Sequence, residues 1–330
     1  MSGSKNIGEA KPALKITRGW LLRVLGSVIV LGLLLWYLPL DDVAQGFSNI
    51  SWAVFASVLI LFMVGHAVAA GKWWFLLERG FSYRKALKAH FAGLAANLCL
   101  PGVAGGDVVR AGLVAKFTSV TKLAAASLSD RFIDMLALAI VSASGILMLR
   151  SGEANIGLVL QIFALFLGAL ICVFYVGPKV VPMIFEAIPK LPAKSFALKI
   201  ADEFDRLGKR PAALVTALLL SVAIQAAFVS LFIWLADNAG VDAPRGAWFF
   251  AWPLAKILAV LPISLGGIGL REATLAGLMS PFGAEAAPVV AASLIWQAVL
   301  IVAGLIGAAA WLLTNSSTSR DIDLGQRKKV

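Results

Sequence analysis

Apolar residues run almost unbroken through 20–40, 51–77, 132–149, 155–177, 212–236 and 287–313, separated by short polar intervals. At 1.5 Å rise per residue, each run is long enough to cross about 30 Å of hydrocarbon. The pattern predicts six transmembrane helices. Two further apolar stretches, 86–117 and 246–281, are broken in the middle by helix-interrupting residues. In the first, Leu100-Pro101-Gly102-Val103-Ala104-Gly105-Gly106-Asp107-Val108-Val109-Arg110 carries the break. The string returns 161 residues later as Leu261-Pro262-Ile263-Ser264-Leu265-Gly266-Gly267-Ile268-Gly269-Leu270-Arg271, with Leu, Pro, both glycines and Arg in register. Helix breakers and a charge at matching places of two halves are the sequence mark of a paired site in membrane proteins built from inverted repeats.

Composition agrees with a bilayer as the solvent. The chain is 60% hydrophobic and only 14% charged, with a mean hydropathy of +0.89, whereas a soluble domain carries about a quarter charged residues. The basic flank before residue 20 resembles that of a signal peptide. The apolar run behind it is twice too long for one and ends in Pro39-Leu40-Asp41-Asp42 with no small-residue cleavage site, so it reads as a retained anchor.

Charge then sets the topology. Of the 29 Lys and Arg residues, 21 fall in the tail before Gly19, in 78–90, at Lys116 and Lys122, in 178–210 and after Leu313, against only Arg150 and Arg245 in the loops between. The positive-inside rule makes the first set cytoplasmic, together with both termini, 1–18 and 314–330. This closes only if 86–117 and 246–281 each enter and leave on one side, the first from the cytoplasm and the second from outside. The expected architecture is therefore a single all-α polytopic membrane domain over 1–330: six transmembrane helices plus two re-entrant hairpins, eight membrane segments in all. Repeat 1 spans about 20–150 and repeat 2 about 155–313, in inverted topology, joined by a basic cytoplasmic connector at 178–210.

Backbone that leaves helical geometry at membrane depth needs partners for its polar groups, so broken hairpins imply a protein-lined or wet cavity. A helix restarting at Asp107 or near Ile268, after Gly105-Gly106 and Gly266-Gly267, presents free N–H groups and a positive dipole end to an anion. Arg110 and Arg271 lie one turn on and can clamp the same phosphate or carboxylate. In the plainer alternative, the glycines permit close packing and each arginine pairs with a neighbouring acid, Asp107 or Glu272. Asp130 and Asp134 stand one helical turn apart on one face, with Arg131 directed elsewhere. These three are expected to form an ion-pair network with Arg110 or Arg271, or a proton relay. Lys256 is a candidate headgroup contact, Lys72 beside Trp73-Trp74 reads as an interfacial anchor, and His66 as the only intramembrane histidine, hydrogen-bonded in the core. In 178–210, Phe196, Ile200, Phe204 and Leu207 recur at helical spacing, which fits an interfacial helix as well as a solvated connector. Cys99 and Cys172 behave as small hydrophobes. No Walker, HExxH, GxSxG or CxxC set points to an enzyme, a metal site or a cofactor, and no basic-aromatic groove points to nucleic acid.

Four motifs together carry a family resemblance. They are Trp74-Phe75-Leu76-Leu77; Asn97-Leu98-Cys99-Leu100-Pro101-Gly102 with Gly105-Gly106-Asp107-Val108-Val109-Arg110; Asp130-Arg131-Phe132-Ile133-Asp134; and Leu261-Pro262 with Gly266-Gly267-Ile268-Gly269-Leu270-Arg271-Glu272. From about Gly19 to Leu313 the chain resembles the lysylphosphatidylglycerol synthase transmembrane family, the flippase-like domain of the multiple peptide resistance factor and of stand-alone bacterial inner-membrane proteins. The resemblance implies a lipid flippase-like protein of the bacterial inner membrane, moving a phospholipid, aminoacylated lipid, hopanoid or polyprenyl-linked lipid between leaflets. Its partners would be membrane lipids and, as a candidate, a lipid-synthesising enzyme. The family's aminoacyl transferase domain has no counterpart after Leu313, so the chain is not expected to make lysyl lipid. Two other readings stay open: an ion-coupled transporter of a small anionic solute, and a membrane-embedded headgroup transferase with Asp107, Asp130 or Asp134 as base.

Overall fold

The fold was obtained as a computed structural model, which describes residues 18–99, 105–149, 156–188, 190–259 and 267–327. The described residues are helical, with no strand among them. The tips of both broken stretches, 100–104 and 260–266, lie outside the described residues, and Gly266 with them.

Five helices are long and apolar enough to cross a membrane. These are α3 (Trp52–Leu76), α6 (Val120–Met148), a bent rod ending in α8 whose spanning part is Phe163–Ala187, α10 (Pro211–Asn238), and α13 (Ala286–Arg327) through Leu313. Ahead of them stand α1 (Arg18–Tyr37), over the first predicted span, and the short amphipathic α2 (Leu40–Asn49). The first broken stretch forms α4 (Tyr83–Cys99) and α5 (Gly105–Val114). The second forms α11 (Arg245–Leu258) and α12 (Leu270–Met279). Polar N-caps fix where α3 and α6 begin: Ser51 Oγ accepts from Val54 N and Ser119 Oγ from Lys122 N.

The predicted span at 155–177 runs further than expected. Helix α7 (Ile156–Ile171) passes through a π-turn at Cys172–Val176 into α8 (Gly177–Ala187). Pro178 has no N–H to donate, and Gly177 N–H bonds Cys172 O five residues back, so the ladder shifts register and the rod bends rather than stopping. The polar connector therefore begins near Ile188. It is largely α9 (Lys194–Gly208), whose Leu207 is buried and whose Phe204 meets Phe174 edge-on at 5.6 Å, while Phe196 stays exposed. The predicted span at 132–149 also starts early, at Val120.

The order long helix, broken pair, long helix occurs twice, and the packing exchanges partners between the two sets. Helices α4 and α5 pack on each other, and α4 lies against α13; α11 and α12 pack on each other, and α11 lies against α6. Likewise α2 lies on α13 and α9 on α6, while α3 and α10 pack together. Both exchanged crossings depend on glycine. A Cβ on Gly145 of α6 would land on backbone atoms of Phe250 and Gly246 in α11, and one on Gly307 of α13 would stand 2.5 Å from Phe91 O in α4. Ser142 Oγ donates to Phe250 O across the first of these crossings.

Contacts also tie the early part of each broken pair to residues that follow it. Glu78, just before α4, sits 2.6 Å from Lys122, just after α5. Phe250 in α11 meets Phe282, just after α12, at 6.4 Å between ring centroids. Phe250 also lies beside Ser142, towards the end of α6 away from Lys122. Phe62, Phe228, Phe232, Trp248, Trp252 and Trp296 fill the centre with ring contacts of 5.1–6.3 Å, binding α3, α10, α11 and α13.

Gly145→Ala should cost roughly 1–3 kcal/mol, because a methyl group there overlaps backbone that cannot yield. Gly277→Ala, with nothing within 4 Å of its Cβ position, should be neutral or stabilising by up to about 1 kcal/mol. Thermal unfolding of the two variants in detergent measures the contrast.

Candidate functional site

Three cations and three acids alternate through the middle of the first half. Arg131 Nε donates to Asp107 Oδ2 at 2.7 Å, and Asp107 Oδ1 stands 3.0 Å from Arg110 Nε. Arg110 donates to Asp130 Oδ2 at 3.0 Å, and Lys72 Nζ lies 2.9 Å from Asp130 Oδ1 and 2.5 Å from Asp134 Oδ1. Ser221 of α10 accepts from Lys72 and donates to Asp134, each at 2.7 Å. The chain of contacts thus joins α5, α6, α3 and α10. Arg110 also stacks its guanidinium over Trp73 at 4.6 Å.

Lys72 is therefore not the interfacial anchor its neighbours Trp73-Trp74 suggest. It is 2% exposed and lies between two carboxylates. An ammonium in an apolar bundle is tolerated only when paired, and the face of α6 that carries Asp130 and Asp134 supplies the pairing. With Lys72 between them, the two carboxylates do not face each other across a shared proton. Within this network Asp134 and Arg131 are the half-exposed members.

The second half holds a smaller cluster. Arg271 donates to Glu272 Oε1 at 2.8 Å, to Ser293 O at 3.1 Å and to Gln297 Oε1 at 3.2 Å. Glu272, which is fully buried, accepts from Gly269 N at 2.7 Å and from Ser293 Oγ at 2.8 Å. The carboxylate thus caps the first turn of α12 and is itself the anion at that helix start. Gly267 and Gly269, at φ +81° and +83°, make the left-handed turn leading into α12. The first copy is built differently. Helix α5 begins at Gly105, so Gly105 and Gly106 lie inside its first turn. Gly106 N is bonded to Asn97 Oδ1 at 2.8 Å, and a Cβ on Gly93 would stand 2.8 Å from Gly106 O. Here the glycine pair serves close approach of α4 and α5, and both arginines have acid partners beside them.

Lys256 of α11 differs from every other buried cation. Its ammonium donates to Gln225 Oε1 at 2.9 Å and lies 5.0 Å from the Trp252 ring and 5.7 Å from that of Phe228. Among the described residues no acid lies within ion-pair distance of it. Asp134, Arg131, Lys72 and Arg271 are within its electrostatic reach, so it stands where the two clusters converge. His66 is not the only histidine in the interior: its Nδ1 meets His90 Nε2 of α4 at 3.0 Å. His90 lies in the broken stretch 86–117, just behind the basic run of Arg84, Lys85 and Lys88, and nothing local to it points to His66. Lys72, Ser221, Gln225 and Ser293 were likewise missed as site members. A lysine within a 25-residue apolar helix was the one available signal.

A separate clasp sits where α3 ends and α6 and α10 begin. Glu78, at φ 57°, accepts from Lys122 at 2.6 Å, from Arg206 at 2.5 Å and from Arg210 at 3.0 Å. Partial burial alone would raise its pKa, but the hydrogen bonds and charges of Lys122 and Arg206 outweigh that and hold it at about 2. Burial works against Arg206 too, and its hydrogen bonds to Glu78 and Glu203 raise its pKa nonetheless.

A family model described as the lysylphosphatidylglycerol synthase TM region matches residues 20–308. No curated protein and no solved structure matches the chain.

Lys72→Met should destabilise the protein by about 1–3 kcal/mol, because buried Asp130 keeps only Arg110 and part-exposed Asp134 keeps only Ser221, and adding Asp134→Asn should recover part of the loss. Unfolding in mixed detergent micelles measures both. Glu78 has a depressed pKa, so its clasp stabilises the fold fully above about pH 4.5 and loses that contribution as pH falls towards 2. The thermal midpoint of Glu78→Gln should therefore lie below wild type at pH 7, with the gap closing at acid pH.

Proposed function

We propose that this chain, which belongs to the lysylphosphatidylglycerol synthase TM region family, is a flippase-like transporter that moves an anionic or aminoacylated phospholipid, hopanoid or polyprenyl-linked lipid between the leaflets of the bacterial inner membrane. It does so as a transporter, not an enzyme, with both termini cytoplasmic. The working architecture is six spans, counting α1, with α4–α5 and α11–α12 as re-entrant hairpins of an inverted repeat. The exchange of packing partners, the contact of Glu78 with Lys122 across α4–α5, and that of Phe250 with Phe282 across α11–α12 support that architecture. The excess of Lys and Arg at the α3–α4, α5–α6 and α9 end supports the orientation.

One observation carries the functional reading. The first cluster balances Lys72, Arg110 and Arg131 against Asp107, Asp130 and Asp134, and the second balances Arg271 against Glu272. Lys256 is left over among the described residues, so the interior keeps one uncompensated positive charge between two neutral clusters. A lone buried cation costs about 2.5–3.5 kcal/mol on insertion scales, and an anionic headgroup cancels it. The phosphate binds Lys256, with half-exposed Arg131 adjoining, while its acyl chains stay in the hydrocarbon. Arg110 and Arg271 hold the broken segments in place through their acids and exchange contacts with the phosphate as it passes. Rocking of one repeat against the other then exposes the site to each leaflet in turn.

Liposomes carrying the protein and a labelled phosphatidylglycerol test this by following leaflet transfer. Lys256→Met should slow transfer at least about tenfold, the effect of losing a charged contact worth about 1.4 kcal/mol or more. Lys256→Arg should retain most of the rate, and Arg110→Ala and Arg271→Ala should be slow as well. Equal rates in wild type and Lys256→Met would overturn the reading.

A further inference from the structure

We propose that the His66–His90 pair is a proton-binding site whose occupancy is coupled to that of the anion site, so that each anion is carried with a proton. The inference rests on the anion reading above and assigns it an energy source.

The contact at 3.0 Å between His66 Nδ1 and His90 Nε2 has room for one hydrogen between the two nitrogens. When His90 Nε2 donates to His66 Nδ1, neutral His90 has a bare Nδ1. That atom is buried and has no hydrogen-bond partner among the described residues. A proton taken from water forms an N–H bond at His90 Nδ1 and leaves the His–His bond intact, giving an imidazolium that still donates to a neutral imidazole. No other atom has to move. Among the described residues no third His, Cys, Asp or Glu completes a metal site around the pair.

The charges facing the pair set the coupling. Around His90 stand Arg110 from α5, Asp130 and Arg131 from α6, and Lys72 from α3; around His66 stands Lys256 from α11. Helices α10 and α13 also pack against α3, and neither has a charged side chain within 211–236 or 286–313. Those arginines and Lys72 are balanced by Asp107, Asp130 and Asp134, so the charge that opposes a proton on the pair is that of Lys256, whose ammonium and the His66 ring both lie against the Phe228 ring. An anion at Lys256 offsets that charge, and by linkage a proton on the pair strengthens anion binding by the same factor. A pH difference across the membrane then biases which face loads the complex, and the chain has no nucleotide motif that would do this instead.

The test measures binding of short-chain phosphatidylglycerol and, separately, of inorganic phosphate to the purified full chain between pH 5 and 8. A pH-indicator dye in weakly buffered solution counts protons taken up. Nitrogen-15 NMR of the histidine rings reads His66 and His90 with and without ligand at fixed pH, which needs no variant. Wild type should take up about one proton per ligand bound, its affinity falling about tenfold per pH unit across the window where the pair titrates. Adding ligand should convert the His90 Nδ1 signal from bare to protonated. His90→Gln, which keeps a hydrogen bond to His66, should bind with a flat pH profile and no proton uptake. Lipid binding that shows this slope while free phosphate does not bind assigns the site to lipid; the slope with both ligands assigns it to the phosphate group itself. Binding by wild type without proton uptake, or an unchanged slope in His90→Gln, would overturn the coupling while leaving the anion reading standing. No binding of either ligand at any pH would overturn the anion reading, and the coupling with it.

Discussion

Lys72, held between Asp130 and Asp134, is the contact on which the interior depends. It lies on the apolar helix α3, takes both acids from α6 and reaches Ser221 on α10, so three long helices meet at one ammonium. In a bilayer apolar side chains gain little by leaving lipid for protein, because both are hydrocarbon, and association rests on fit and on polar contacts. A charge that cannot be left unpaired is then a strong instruction about which helices must be neighbours. Arg110 extends the instruction to α5 through Asp107 and Asp130, and Arg131 closes it.

The second half meets the same constraint more simply. Glu272 caps α12 and neutralises Arg271, and Ser293 and Gln297 on α13 finish the hydrogen bonds. The two copies of the Leu-Pro…Gly-Gly…Arg string therefore lead to different local structures. In the first, Gly105 and Gly106 lie within the helix and accept the close approach of α4; in the second, Gly267 and Gly269 make a left-handed turn before it. What satisfies the exposed backbone also differs: in the first copy Asn97 of the preceding helix takes the Gly106 N–H, and in the second Glu272, three places on, takes that of Gly269.

Element type and position were readable because length and apolarity decide them in a membrane, and the spacing of acids on α6 was readable because a helix turn is a local quantity. Pairing across helices was not. Nothing in the sequence around Lys72 distinguishes a lysine that snorkels beside Trp73-Trp74 from one aimed at α6. The basic run before His90 hid a residue that reaches His66. The extension of α7 through Pro178 was missed for a related reason: proline usually ends a helix, and here a π-turn absorbs it. Lys256 stands out in the sequence by depth alone, and that no acid among the described residues pairs with it depends on how the surrounding acids pair across helices.

Glu78 is shared by Lys122 of the first half and by Arg206 and Arg210 of the second. Separating the halves at that end must tear several charged contacts from a single carboxylate. At the opposite end, where Gly145 rides on Gly246, backbone lies against backbone, and among the described residues the crossing is spanned by a hydrogen bond and by no ion pair. The molecule is thus stitched on one side and merely apposed on the other, which makes the stitched side its natural pivot and gives the two faces unequal resistance to parting.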